Sequence, residues 1–132
     1  MARSPGEESR GQRLPRARRI TRGQEIRALF RRGKRSRTAH LDVFDSPSPV
    51  AYPRAGVVVP RYKHTAVERN RLKRRLREIL RRVVLPRLDA AGLALDVLVR
   101  ARREAYDARF AELRSELEKW VDRRCSRGSC ST

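Results

Sequence analysis

The chain has 132 residues, enough for one domain, and carries 34 Lys and Arg against 15 Asp and Glu, a formal net charge of +19. Such an excess repels itself in the compact state and points to a polyanionic partner, nucleic acid before a membrane surface, because no apolar run approaches the ~18 residues of a spanning helix. Aromatics are only 5% of the residues, so the core is expected to be small and aliphatic.

Residues 1–19 mix Pro, Gly, Ser and Arg without periodicity and read as a disordered basic arm. They contain no apolar segment of the kind a secretory signal needs. A helix is expected from Thr21, where Thr21 and Gln24 have capping-box spacing, Ile26, Leu29 and Phe30 form an i, i+3, i+4 stripe, and Gly33 stands ready to end it. "TAHLDVFD" then alternates, with Ala39, Leu41 and Val43 on one face and His40, Asp42 and Phe44 on the other. A bulge between Ser36 and Asp45 would divide this segment in two. "SPSPVAYP" is a loop, and "RAGVVVP" reads as a short buried strand ended by Pro60.

Thr65 and Glu68 form a second capping box, starting a helix near Ala66 whose apolar stripe is Leu72, Leu76, Ile79, Leu80 and Val83, and which Pro86 is expected to stop. "LALDVLVRA" follows as a strand. A last helix is expected from Ala105, with Tyr106, Phe110, Leu113, Leu117 and Trp120 packed on the sheet. From Arg123 the chain reads as a disordered tail, its Cys125 and Cys130 expected as thiols rather than zinc ligands, since only His40 and His64 are at hand and lie far upstream. The reading is thus a single α+β domain over residues 20–122 in the order α-β-β-(β)-α-β-α, a small mixed sheet of three to four strands with three helices mainly on one side.

The helix from Ala66 poses the functional question. At about 100° per residue, Asn70, Lys73, Arg74, Arg77 and Arg81 lie opposite the apolar stripe, with Arg69 on the flank. A solvated face normally interleaves acids at i, i+4, yet Glu78 is the only acid between Arg69 and Pro86. Arginine forks suit phosphate oxygens, and an Asn adds a neutral donor and acceptor for a base edge or 2′-hydroxyl. An aromatic on a sheet face, as the alternation places Phe44, suits stacking on an unpaired base. Intrinsic nuclease chemistry is not expected. Asp42 and Asp45 point to opposite faces, Asp89 and Asp96 flank a turn, and no carboxylate cluster is evident to hold metal ions. A structural, ribosomal-type RNA-binding protein is the alternative that composition leaves open.

"RNRLKRRLRE", following "RAGVVVPRYKHTAVE", resembles the signature of the bacterial ribonuclease P protein subunit, and "LFRRGKR" and "LDVLVRARREA" resemble its flanking blocks, so that Arg19 to Val121 can be laid on the family pattern. The resemblance implies a ribosomal-protein-S5-domain-2-like fold with a left-handed βαβ crossover. It implies a cytoplasmic subunit that binds a catalytic RNA and the 5′ leader of precursor tRNA, with hydrolysis carried by the RNA and its Mg2+, and without cofactor, membrane or small-molecule substrate of its own. By residue, Arg69, Asn70, Arg71, Lys73, Arg74 and Arg77, with Arg81, Arg61 and Lys63, become the catalytic-RNA contacts. Phe44, Phe30, Ile26 and His40 become the leader contacts. The loop before the helix departs from the pattern: Tyr62 and His64 stand where the family has a second basic residue and a Gly.

Overall fold

The computed structural model describes the backbone of residues 14–131 and the side chains of residues 14–126. Helix α1 spans Gly23–Arg32, strand β1 Lys34–Arg37, β2 Leu41–Pro47 and β3 Arg54–Val58. Helix α2 spans Ala66–Ile79, continues through a π turn at Leu80–Val84 and ends as α3, Leu85–Ala90. Strand β4 is Leu95–Ala101 and helix α4 is Phe110–Ser131. The sheet order is β1-β2-β4-β3, with β3 and β4 parallel across the α2 connection and the other neighbours antiparallel. The expected α+β fold with a mixed four-stranded sheet is therefore what the chain adopts.

Both faces of the sheet are covered, unequally. Leu41, Val43, Val97 and Val99 face the larger core with Leu72, Leu76, Ile79, Leu88, Leu113, Leu117 and Trp120 from α2, α3 and α4. The other face carries a smaller cluster, Ile20, Leu29, Phe44 and Leu98, roofed by α1. This is why β2 and β4, the two central strands, are buried along most of their length.

Several local expectations yield to tertiary contacts. Residues 14–19, expected as part of a disordered arm, are ordered: Leu14 is 2% exposed, Arg16–Arg18 form a 3-10 turn, and Arg19 pairs with Ala55 on the outer edge of β3. The Ile20 amide donates to the Ala55 carbonyl, so the chain is still extended at Thr21 and no Thr21–Gln24 capping box forms; the α1 N-cap is Arg22. Residues 1–13 lie outside the described part. Two glycines are required by close approach. A Cβ at Gly56 would stand 2.8 Å from the Ile20 carbonyl oxygen, and one at Gly33 would stand 2.6 Å from that of Leu29.

Pro86 does not stop the helical run. The Leu85 amide reaches back five residues to the Leu80 carbonyl, and this wider turn places Pro86 in the first turn of α3, where a missing N–H is tolerated. Tyr106 belongs to a separate 3-10 turn, Arg103–Asp107, and extended backbone at Ala108 delays α4 to Phe110. The tail expected to be disordered from Arg123 continues as helix to Ser131, held in its first part by Arg124 on the buried Asp45.

Candidate nucleic-acid interface

The start of α2 is fixed by a complete capping box: the Glu68 amide donates to Thr65 Oγ1 at 3.1 Å, and the Thr65 amide donates to Glu68 Oε1 at 2.9 Å. Beyond Glu68 the helix presents cations in three directions. Arg69, Lys73 and Arg77 follow one another at i, i+4 spacing along the flank nearest the N-terminal segment. Asn70 and Arg74 point outward and are exposed. Arg71, two positions from Lys73, is exposed on nearly the opposite side, so the six residues do not share one face. Arg81 leaves the array. Its i, i+3 neighbour Glu78 takes it up: Arg81 Nη2 donates to both carboxylate oxygens at 2.9 and 3.0 Å.

The Arg69–Lys73–Arg77 flank borders a cleft of about 200 Å³ at the β3 edge. Its walls are Leu14, Ile20, Ile26, Ala55 and Val57, and its cations are Arg19, Lys73 and Arg77, with no carboxylate among the lining residues. Burial, together with the charges of Arg69 and Arg77, pushes the Lys73 amine below its ordinary value. Burial and Arg19 do the same to the Arg77 guanidinium. Cations held together and partly desolvated without acids favour an incoming anion. Arg69 adds a buried Nε that finds no acceptor among the described residues. Arg19 was missed by the sequence reading, because its position depends on Arg19 Nε donating to the Leu14 carbonyl at 2.6 Å and on pairing with β3, neither of which is a local pattern.

The loop between β3 and α2 is prefolded. Tyr62 and Lys63 both take left-handed backbone, φ 48° and 74°, a conformation that favours glycine. Aromatic contacts hold it there. The His64 ring stacks on Tyr106 at 3.7 Å, the Tyr106 hydroxyl donates to the Pro60 carbonyl at 2.7 Å, and Tyr62 meets Tyr106 edge-on. Tyr62 and His64, the departures from the expected loop pattern, thus buttress the turn, leaving Arg61 and Lys63 exposed beside the start of α2.

On the smaller-core side, Ile26 and Phe30 are half-buried on α1, as a ligand-facing pair needs. Phe44 is not the open aromatic expected: it is 4% exposed beneath Phe30. His40 is not with them. It precedes β2, so the alternation does not reach it, and Glu116 of α4 binds both its ring and its amide on the larger-core side. Among the described residues no group of His, Cys, Asp and Glu is placed to hold a metal ion, and no helix is long and apolar enough to cross a membrane.

Fold and charge together define a small α+β protein with a cationic surface suited to a polyanion. The sequence profile of the ribonuclease P family matches residues 14–124. The ribonuclease P protein component of Acidothermus cellulolyticus is 38% identical over 112 residues, covering 83% of this chain and 90% of its own. Among solved structures, the RNase P protein of Staphylococcus aureus superposes with a TM-score of 0.67 at 25% identity, covering 79% of this chain and 92% of its own. That of Thermotoga maritima gives 0.66 at 25%, covering 80% and 96%. The chain belongs to the ribonuclease P family and is a protein subunit of that endoribonuclease.

Proposed function

We propose that this subunit binds two RNA strands at once. The cationic surface of α2 (Arg69, Asn70, Arg71, Lys73, Arg74 and Arg77, with Arg61 and Lys63 from the loop) takes the catalytic RNA. The groove between α1 and the sheet, bordered by Ile26 and Phe30, takes the single-stranded 5′ leader of precursor tRNA. The observation that carries this reading is the acid-free cleft at Arg19, Lys73 and Arg77. It lies between the two surfaces, with Ile26 in its wall, so a phosphate backbone can pass from one to the other. In this reading the RNA and its magnesium ions perform the hydrolysis, and the protein's residues bind and orient. A cytoplasmic setting follows from the substrate.

The test is reconstitution. The full chain, mixed with a bacterial ribonuclease P RNA and precursor tRNA at low magnesium, should stimulate release of the 5′ leader, while the chain without RNA should release none. No stimulation, or recovery of ribosomal RNA alone with the chain purified from cells, would overturn it.

A further inference from the structure

The open part of the sheet carries groups that this reading does not use. Two rows of residues cross that face. The first runs Arg35, Phe44, Leu98 and Gly56; the second runs Arg37, Asp42, Arg100 and Val58. Helix α1 lies over the first row, where Phe30 meets Phe44 and Leu29 is buried with Leu98. In the second row Asp42 is the one acid, and its side chain is 3% exposed.

The two Asp42 oxygens are divided between two arginines. Arg35 Nη2 donates to Oδ1 at 3.3 Å, and Arg100 Nη2 donates to Oδ2 at 3.1 Å. The same guanidiniums stand over the aromatic pair: Arg100 is 5.2 Å from the Phe30 ring centre and 5.6 Å from that of Phe44, and Arg35 is 6.0 Å from that of Phe44. One arginine suffices to neutralise a buried carboxylate. Here a second is held beside it, in excess by one charge. The Arg35 and Arg100 side chains remain 53% and 35% exposed, and each makes no other hydrogen bond among the described residues. A guanidinium has five N–H donors, so most remain for an outside acceptor. Fixing one end of the fork on Asp42 also reduces the conformational freedom given up when a ligand binds.

We infer that Arg35 and Arg100, oriented by Asp42, are the contacts this chain makes to the phosphate backbone of a single strand of RNA on the α1 side of the sheet. Phe30 and Phe44 form the apolar floor on which the guanidiniums rest. A base cannot reach Phe44, so recognition at this spot is by charge and by the guanidinium planes, and it tolerates any leader sequence. This inference rests on the leader reading above.

The test uses the holoenzyme assembled from the full chain and a bacterial ribonuclease P RNA. Affinity is measured for precursor tRNA with a single-stranded leader and for mature tRNA, across a range of salt. Arg35→Ala and Arg100→Met should each weaken precursor binding roughly tenfold or less and reduce the steepness of its salt dependence by about 0.7 for each phosphate no longer neutralised. Mature tRNA should bind as before. Because Arg100→Met leaves Asp42 with one partner fewer, the pair Asp42→Asn with Arg100→Met is measured alongside, and melting temperatures identify any weakening that comes from unfolding. If the unmodified holoenzyme prefers precursor and the variants keep both that preference and its salt dependence, the arginines are internal struts and the inference fails while the leader reading stands. If the unmodified holoenzyme does not distinguish precursor from mature tRNA, the leader reading fails and takes the inference with it.

Discussion

Phe30 meets Phe44 edge to face, with ring centres 4.9 Å apart and planes at 90°. The pair joins α1 to β2 and forms much of the smaller core, so Phe44 carries stability before it carries recognition. Phe44→Ala is expected to cost about 3–5 kcal/mol, the range for truncating a buried aromatic, and chemical denaturation will show it as a lower midpoint. The half-buried Phe30 should cost less when truncated. A Phe44→Ala variant as stable as the parent would mean the ring lies open after all.

Arg54 ties three elements together. Its Nε and Nη2 donate to the two Asp96 oxygens at 3.0 and 2.7 Å, and Nη2 also reaches Glu25 of α1 at 3.0 Å. Removing one partner of such a buried pair leaves the other uncompensated, so Arg54→Ala should destabilise by about 3–5 kcal/mol. Glu25 is far more exposed, and Glu25→Gln should cost under ~1 kcal/mol. Urea titrations of the two variants check the ranking.

Along α2, Lys73→Ala and Arg77→Ala should each lower the magnitude of the log–log salt slope for binding the catalytic RNA by about one unit or less. Asn70→Ala should weaken binding and leave the slope unchanged, because the Asn70 amide is neutral and displaces no counterion. Filter binding over a salt series separates these outcomes. Unchanged slopes for both cation variants would place this flank away from the RNA.

Asp42 supplies a pH dependence of stability. Burial alone raises its carboxyl, but hydrogen bonds and charge from Arg100 and Arg35 outweigh burial and hold it below its ordinary value of 3.8. A carboxyl depressed in the folded state stabilises the protein above its unfolded pKa, and that contribution disappears as pH falls through the folded value. Asp42→Asn should therefore be less stable than the parent at pH 7, with the gap closing below about pH 4. Denaturation midpoints at pH 7 and pH 3 measure it. A gap that does not change with pH would show that the carboxylate contributes no charge interaction.

The parts of this structure that were legible in the sequence are those set within a few residues. The Thr65–Glu68 cap, the Leu72–Leu76–Ile79 stripe and the apolar run of β4 depend on neighbours along the chain, and all form as read. Thr21 and Pro86 were misread because an interaction elsewhere outweighed the local signal: the pairing of Ile20 with Ala55 in one case, the π turn in the other. Within the site, the cations of α2 were readable from spacing. Arg19 and the Arg35–Asp42–Arg100 group were not, since they exist only once strands up to 58 residues apart are in register. His40 shows the limit of alternation, which says nothing about a residue one step outside its strand.

The Glu78–Arg81 ion pair sets the length of the cationic flank on α2. Cations repeat along one flank of α2 at Arg69, Lys73 and Arg77, a span of about 12 Å, and the next residue in that series, Arg81, is turned onto Glu78. The helix is thus a short tooth and not a rail. In the proposed reading, a strand longer than that span would meet Arg19 beyond one end and Arg61 and Lys63 beyond the other, which belong to separate stretches of chain. An excised α2 peptide would keep its charge and lose both outer grips, so the reach of this surface belongs to the folded domain.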